Sequence, residues 1–211
     1  MLSITKPTAE KLRTWSGPMK SEPFNYPGVG STLAIDASAE NFTFVGPRGF
    51  TFDHRRTRLG DGDDVFDAAA DAVMRGQMFP DGWFVSALPL RPLAVGDVMT
   101  IAARCGGLWW ANAARIVYLV DEHDERGRRR GFAYGTLRTH VERGEERFMV
   151  EQLPDGSVWY DLAAYSRPRH LLIWATYPLA RFMQEKFRRH SAAAMKRVVA
   201  EAATSTADKW L

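Results

Sequence analysis

An α+β fold is predicted, in which a curved antiparallel sheet is covered on its concave face by a long C-terminal helix. Three observations predict it. From Trp83 to Tyr165 the chain alternates β-prone segments with short turns. A short Ala-rich helical pattern precedes that run. A long amphipathic pattern, Pro178 to Ala203, follows it.

Residues 1–23 are polar, with Pro7, Pro18 and Pro23, and read as an N-terminal arm ahead of a single domain over 24–211. Short β-prone pieces follow at Val29–Thr32, Phe42–Val45 and Phe50–Arg58, with a turn at Pro47-Arg48-Gly49. Asp61-Gly62-Asp63-Asp64 is a helix start, because Asp accepts orphan backbone N–H groups and acids favour the positive end of the helix dipole. Phe66, Ala69, Ala70 and Val73 then share one helical face, and Arg75-Gly76 closes the helix. DGDD opens like a calcium loop, but the pattern ending in a bidentate Glu is missing.

The candidate strands are 83–90, 97–105, 108–120, 131–141, 145–153 and 157–165. Their breaks are Pro92–Gly96, Gly106-Gly107, a charged loop at 121–130, Glu142-Arg143-Gly144 and Pro154-Asp155-Gly156. Connections this short imply an antiparallel meander. In the final helix Pro178 suits the first turn, where its missing N–H is no loss. Leu179, Met183, Phe187, Ala194 and Val198 form an apolar stripe, flanked by Phe182, Met195 and Ala202. A helix of that length, ~39 Å at 1.5 Å per residue, can cover a sheet. This element order is the helix-grip arrangement. The alternative is a hot-dog-like fold, which would need a long, apolar helix before the meander, where this sequence has a short one.

Composition narrows the function. The chain has 211 residues, 45% of them hydrophobic, which fits one large globular domain and excludes disordered or collagen-like structure. One cysteine, Cys105, allows no intrachain disulfide and no Cys-cluster metal site; with no activating base in view it reads as a small core residue. No apolar run approaches the ~20 residues of a membrane span. The charged first 25 residues have no signal-peptide pattern, so a cytoplasmic protein is expected. The five histidines lack metal-site spacing, and there is neither a GxGxxG nor a Walker pattern, so no cofactor is implied. Net charge is only +3, yet Ser166–Ala200 holds eight basic residues and one acid. Such a helix reads as a solvated amphipathic face, or as a surface for an acidic partner or membrane face. Mixed signs at 121–130 and no interleaved aromatics argue against nucleic acid. The tryptophans read as core or as the walls of an apolar pocket. Ser166 lacks a nucleophile-elbow setting and reads as a helix cap.

The hairpin at 131–153 is the most informative stretch, because a one-residue slip swaps its faces. A two-residue Arg143-Gly144 loop would set Leu137 opposite Val150 and turn His140 to solvent. A three-residue Glu142-Arg143-Gly144 loop, with Gly144 in a left-handed bulge, would set His140 opposite Glu146 and Arg138 opposite Phe148. Gly in the third loop position favours the second, since Arg is a poor first residue for a type I′ turn. His140 and Glu146 would then be an acid–base pair, or an ordinary cross-strand ion pair. Arg115, Tyr134, Thr136, Arg138 and Phe148 are the candidate ligand-binding residues beside them.

Several stretches carry a resemblance. They are Phe24–Thr32, Arg115–Tyr118, Gly131-Phe132-Ala133-Tyr134-Gly135-Thr136-Leu137 with His140, Gly144-Glu145-Glu146-Arg147-Phe148, Tyr165–Pro168, and Tyr177-Pro178 with Arg181 and Gln184. Together they resemble the uncharacterised family known as domain of unknown function 1990, over residues 24 to 200. That family has no established activity, so the resemblance implies no reaction. From Glu145 onward the chain is also similar to the START/polyketide-cyclase superfamily, a helix-grip group whose members hold apolar ligands between sheet and helix. The expected partner is thus a small apolar or amphipathic molecule. The alternatives are an enzyme of cyclase, isomerase or hydrolase type using His140 and Glu146, and an interaction module using the basic helix.

Overall fold

The computed structural model describes residues 1–35, 46–169 and 177–207. Its strands are β1 (Leu2–Ser3), β2 (Thr51–Asp61), β3 (Phe84–Ala87), β4 (Val98–Cys105), β5 (Leu108–Asp124), β6 (Gly127–Thr136), β7 (Glu142–Gln152) and β8 (Ser157–Pro168). Its α-helices are α1 (Ala9–Ser16), α2 (Asp63–Met74) and α3 (Tyr177–Ala207). The strands form one antiparallel sheet in the order β2-β8-β7-β6-β5-β4-β3, and β1 pairs with the start of β5. The meander from β3 to β8 matches the expectation from short connections, and β2 returns to close the far edge beside β8.

One face of the sheet, the inner face, carries α2 and α3. The small residues Ala69 and Ala70 of α2 let Phe66 and Val73 reach Phe132, Phe148 and Val150. Helix α3 follows, with Phe187, Met195 and Val199 in the same core. Tyr160 and Ser191 share a 2.7 Å hydrogen bond that ties α3 to β8. The long helix is thus the last element and lies across the sheet. This is the helix-grip arrangement and not the hot-dog alternative. Among the described residues no helix is long and apolar enough to cross a membrane.

The outer face is covered differently. The stretch read as a polar arm contains α1, whose Leu12 is buried with Ala87, Ala102, Trp109 and Ala111. Thr8 caps α1 by accepting the Lys11 N–H at 3.2 Å. The piece Val29–Thr32 is not a strand. Gly30 has φ +89 and the chain turns into a 3₁₀ segment, Ser31–Ala34. Helix α2 is capped by Gly62 and not by an Asp, while Asp63 and Asp64 occupy its first turn. The piece Phe42–Val45, His170 and Trp174 lie outside the described residues.

Two expectations about the hairpins are corrected. The segment 121–130 is not a loop. Only Glu125 and Arg126 separate β5 from β6, and Asp121 faces Arg130, Glu122 faces Arg129 and His123 faces Arg128. The mixed charges are cross-strand partners, with Arg129 3.0 Å from Glu122.

The β6–β7 connection is not at Glu142-Arg143-Gly144, which belongs to β7. It comprises residues 137–141, so Tyr134 faces Glu146 and Gly135 faces Glu145. Contacts outside the 142–144 stretch itself accompany this register. Gly144 N donates to Thr136 Oγ1 at 2.9 Å. Asn25 Nδ2 donates to the Leu137 carbonyl at 2.7 Å. Leu137 is buried against Met19 and Ala113 on the outer side.

Gly144 does have positive φ, +155, but inside the strand, where an added Cβ would lie 1.9 Å from the Tyr165 carbonyl oxygen. Gly144→Ala is therefore expected to destabilise by ~1–3 kcal/mol, as overpacking does. Urea unfolding checks it, and a neutral substitution would mean β8 stands further off.

Candidate functional site

A cavity of about 590 Å3 lies between the inner face of the sheet and α3. Its apolar walls come from Trp83, Phe84, Ile101, Ala103, Leu108 and Trp110 on the sheet side and from Leu179, Met183 and Phe187 of α3. The alternation of β7 sends Glu146 and Phe148 to this face, and Glu145 and Arg147 to the other.

The polar residues around the cavity form a hydrogen-bonded chain from Asp53 to Glu142 and a separate Tyr134–Glu146 pair. Asp53 of β2 accepts from Arg181 at 2.5 and 2.6 Å and lies 3.2 Å from Arg188. Arg181 also donates to Gln184 Oε1 at 2.8 Å. Gln184 Nε2 in turn donates to Glu142 at 2.7 Å and to Ser166 Oγ at 3.1 Å. The Tyr134 hydroxyl donates to Glu146. His140, in the 137–141 connection, accepts the Glu142 backbone N–H on Nδ1 at 3.0 Å.

Burial dominates the electrostatics of this group. It pushes the Glu142 carboxyl up to about 7, against the Gln184 hydrogen bond and with help from Asp53. It likewise pushes Glu146 up to about 7, against the Tyr134 hydrogen bond and with help from Glu142. It pushes the His140 imidazole down to about 4. At neutral pH the histidine is uncharged, while the two carboxyls are near their midpoints.

These shifts tie stability to pH. Between the ordinary carboxyl value of 4.5 and about 7, the folded protein holds protons that the unfolded chain has released. The carboxyl contribution is therefore present at low pH and lost as pH rises through 7. His140 opposes it, because its contribution is present above 6.5 and lost as pH falls through 4. Asp53, Arg181, Gln184 and Arg188 face the same carboxyls from β2 and α3, and Tyr134 from β6. Glu146→Gln is expected to raise stability at pH 8 by about 1–2 kcal/mol and to flatten the decline between pH 5 and 8. Urea unfolding at both pH values decides, and a variant weaker than the parent at pH 8 would count against a strained carboxylate.

Of the residues picked from sequence, Tyr134, His140 and Glu146 line the cavity. Phe148 packs beneath it, 6.3 Å from the Phe187 ring centre. The expected cross-strand pair of His140 and Glu146 does not form, because Tyr134 occupies the position opposite Glu146. Thr136 is turned to Asn25 and Gly144. Arg115 lies over the Phe24 ring at 4.2 Å and donates to the carbonyls of Lys20 and Glu22. Arg138 is exposed. Ser166 is a strand residue facing Gln184, not a helix cap.

Sequence reasoning missed Asp53, Glu142 and Arg188. A signal existed: Arg181, Gln184 and Arg188 follow helical i, i+3, i+7 spacing, on one face beside the apolar stripe.

Among solved structures, the chain is similar to the ZhuI aromatase/cyclase from Streptomyces sp. R1128, at 16% identity over 73% of this chain and 94% of that one, with a TM-score of 0.47. It is also similar to human STARD10, at 14% identity over 92% and 81% of the two chains, with a TM-score of 0.46. Among sequences, a UPF0548 protein of Dictyostelium discoideum is 31% identical over 195 residues, covering 89% of this chain and 90% of its own. A UPF0548 protein of Arabidopsis thaliana is 29% identical, covering 92% and 95%. The family model described as "Domain of unknown function (DUF1990)" matches residues 25–194, and the chain belongs to that family.

Proposed function

We propose that the protein binds a small amphipathic molecule between the sheet and α3. What carries this reading is the cavity itself, which joins an apolar wall to several buried polar side chains. Its volume is within the ~300–1,000 Å3 usual for small-molecule sites. Trp110, Met183 and Phe187 would contact an apolar body, and Tyr134, His140 and Glu146 a polar group. Native mass spectrometry of the purified protein, then solvent extraction and identification of bound small molecules, tests it. Ala164 of β8 lines the cavity, and a recovered amphipathic compound that Ala164→Trp excludes supports the reading. Compounds retained by a cavity-filled variant count against it.

A second reading, acid–base chemistry on the bound molecule, is favoured by one observation: Glu142 and Glu146 are held near the pH at which a group both gives and takes a proton. Deuterium uptake by the recovered compound in D2O, with wild-type protein but not Glu146→Gln, would support it. The interaction-module reading is weakened, because Arg181 and Arg188 turn inward to Asp53 and leave the outer face less basic.

A further inference from the structure

We propose that the ligand carries a protonated aliphatic amine, which seats on the free carboxyl oxygen of Glu146. The inference rests on the ligand-binding reading above and narrows it to a chemical class.

Two carboxyl oxygens of the cavity wall have no donor. Glu146 Oε2 accepts from the Tyr134 hydroxyl, and Glu142 Oε1 accepts from Gln184 Nε2. The second oxygens, Glu146 Oε1 and Glu142 Oε2, accept no hydrogen bond among the described residues, yet neither is one of the buried unpaired atoms. Each therefore keeps surface that a water-sized group can touch. Both residues line the cavity and are partly accessible, so an entering donor can reach them.

The charge around them selects the donor. Among the described residues the cavity is lined by Asp53, Glu142 and Glu146 but by a single arginine, Arg188. That arginine is engaged, 3.2 Å from Asp53 and 3.0 Å from Glu185, and Arg181 holds Asp53 through two hydrogen bonds. No lysine or arginine among the described residues is in ion-pair contact with Glu142 or Glu146. Arg188 draws both carboxyls down only from a distance, and burial still pushes both up to about 7. The other titratable neighbours, Tyr134, His140 and Tyr160, are uncharged at neutral pH. A buried carboxylate without a counter-ion is costly. A neutral donor would fill the open oxygen and leave the charge uncompensated, and an anion would add to it. An ammonium supplies both the N–H donors and the charge.

Glu146 is the seat because it lies beside the aromatic wall. Tyr134 faces it across the strands, with a ring centre 5.8 Å from that of Phe148, which in turn packs on Phe187. Glu142 is four strand residues away, ~13 Å between Cα atoms at 3.3 Å per residue, so one ammonium takes one of the two.

Three probes with one naphthalene body test this by isothermal titration calorimetry on the full chain at pH 7.5. They are 2-(1-naphthyl)ethylamine, a cation; its N-acetyl derivative, which is neutral but still an N–H donor; and 3-(1-naphthyl)propionate, an anion. The amine is expected to bind about tenfold or more tighter than either of the others. The cation favours the ionised carboxyl, so its affinity is expected to rise roughly tenfold from pH 6 to pH 8, as for one group with its midpoint near 7. The acetamide is expected to change by less than about twofold over the same range. Glu146→Gln keeps the size and an acceptor for the Tyr134 hydroxyl but carries no charge. It is expected to weaken the amine by roughly tenfold or more, to remove its pH dependence and to leave the acetamide within about threefold.

An acetamide or propionate that matches or outbinds the amine, or an amine whose binding ignores both pH and Glu146→Gln, would overturn the amine assignment alone. If none of the three probes binds, the ligand-binding reading falls too. The pH series needs no variant, so the proposal stays open to refutation even if Glu146→Gln does not fold.

Discussion

Arg147→Met is expected to cost about 3–5 kcal/mol, the scale of breaking one partner out of a buried ion pair. Arg147 is 2% exposed and Asp161 is fully buried. Arg147 Nη2 donates to Asp161 at 2.8 Å, while Nη1 donates to the carbonyls of Thr32 and Ile35 at 2.9 and 2.8 Å. Burial alone would raise the Asp161 carboxyl, but His54 and Arg147 together hold it below its ordinary value. Without the guanidinium, Asp161 keeps, among the described residues, the His54 partner at 2.5 Å, and the Thr32 and Ile35 carbonyls lose the guanidinium donor.

The same turn is bound from the neighbouring position. Glu145 accepts from Tyr26 at 2.8 Å and from the backbone N–H groups of Gly30 and Thr32 at 2.7 and 2.9 Å. Arg147 and Glu145 thus clamp residues 26–35 to the outer face of β7. Arg147→Met should therefore lower the urea midpoint and expose this turn to proteolysis first. Because the uncompensated charge causes much of the cost, Arg147→Met with Asp161→Leu should be more stable than the single variant. A single-variant loss under ~1 kcal/mol would mean that water already reaches the pair.

These partnerships mark the line between what sequence reasoning reached and what it did not. Alternating β-prone segments with short breaks carry their topology locally, so the meander from β3 to β8 was readable, as was the apolar stripe of α3. The GFAYGTL…H…GEE stretch falls on β6, β7 and the turn between them, and Tyr134, His140 and Glu146 line one cavity. Their mutual geometry was not readable. Turn chemistry around Gly144 suggested a bulged loop, but the clamp of Thr136 on Gly144 and the reach of Asn25 to Leu137 decide the register. Neither shows in a window of a few residues. Arg188 looked like a solvated charge because its partner, Asp53, lies 135 positions earlier and meets it only once β2 docks beside β8.

Phe187→Ala is expected to cost about 3–5 kcal/mol, as for other buried Phe deletions, and to alter ligand binding as well. Phe187 is 8% exposed at the middle of the α3 stripe. Its ring centre lies 5.2 Å from that of Phe84 and 6.2 Å from that of Phe79, besides its contact with Phe148. The residue thus joins α3 to β3, to β7 and to the turn after α2. The same side chain lines the cavity, so the space it leaves merges with the binding space. Collapse around the gap is opposed by the 2.7 Å hydrogen bond of Ser191 with Tyr160, which fixes the next turn of the helix. The cost should therefore fall at the upper end of the range. Arg189→Ala, an exposed position two residues on, should change stability by less than ~0.5 kcal/mol. Urea unfolding of both variants makes the comparison, and N-phenyl-1-naphthylamine titration reads the cavity. Equal effects at the two positions would mean that α3 does not pack as described. A destabilised Phe187→Ala that binds the probe unchanged would mean that the cavity wall lies elsewhere along the helix.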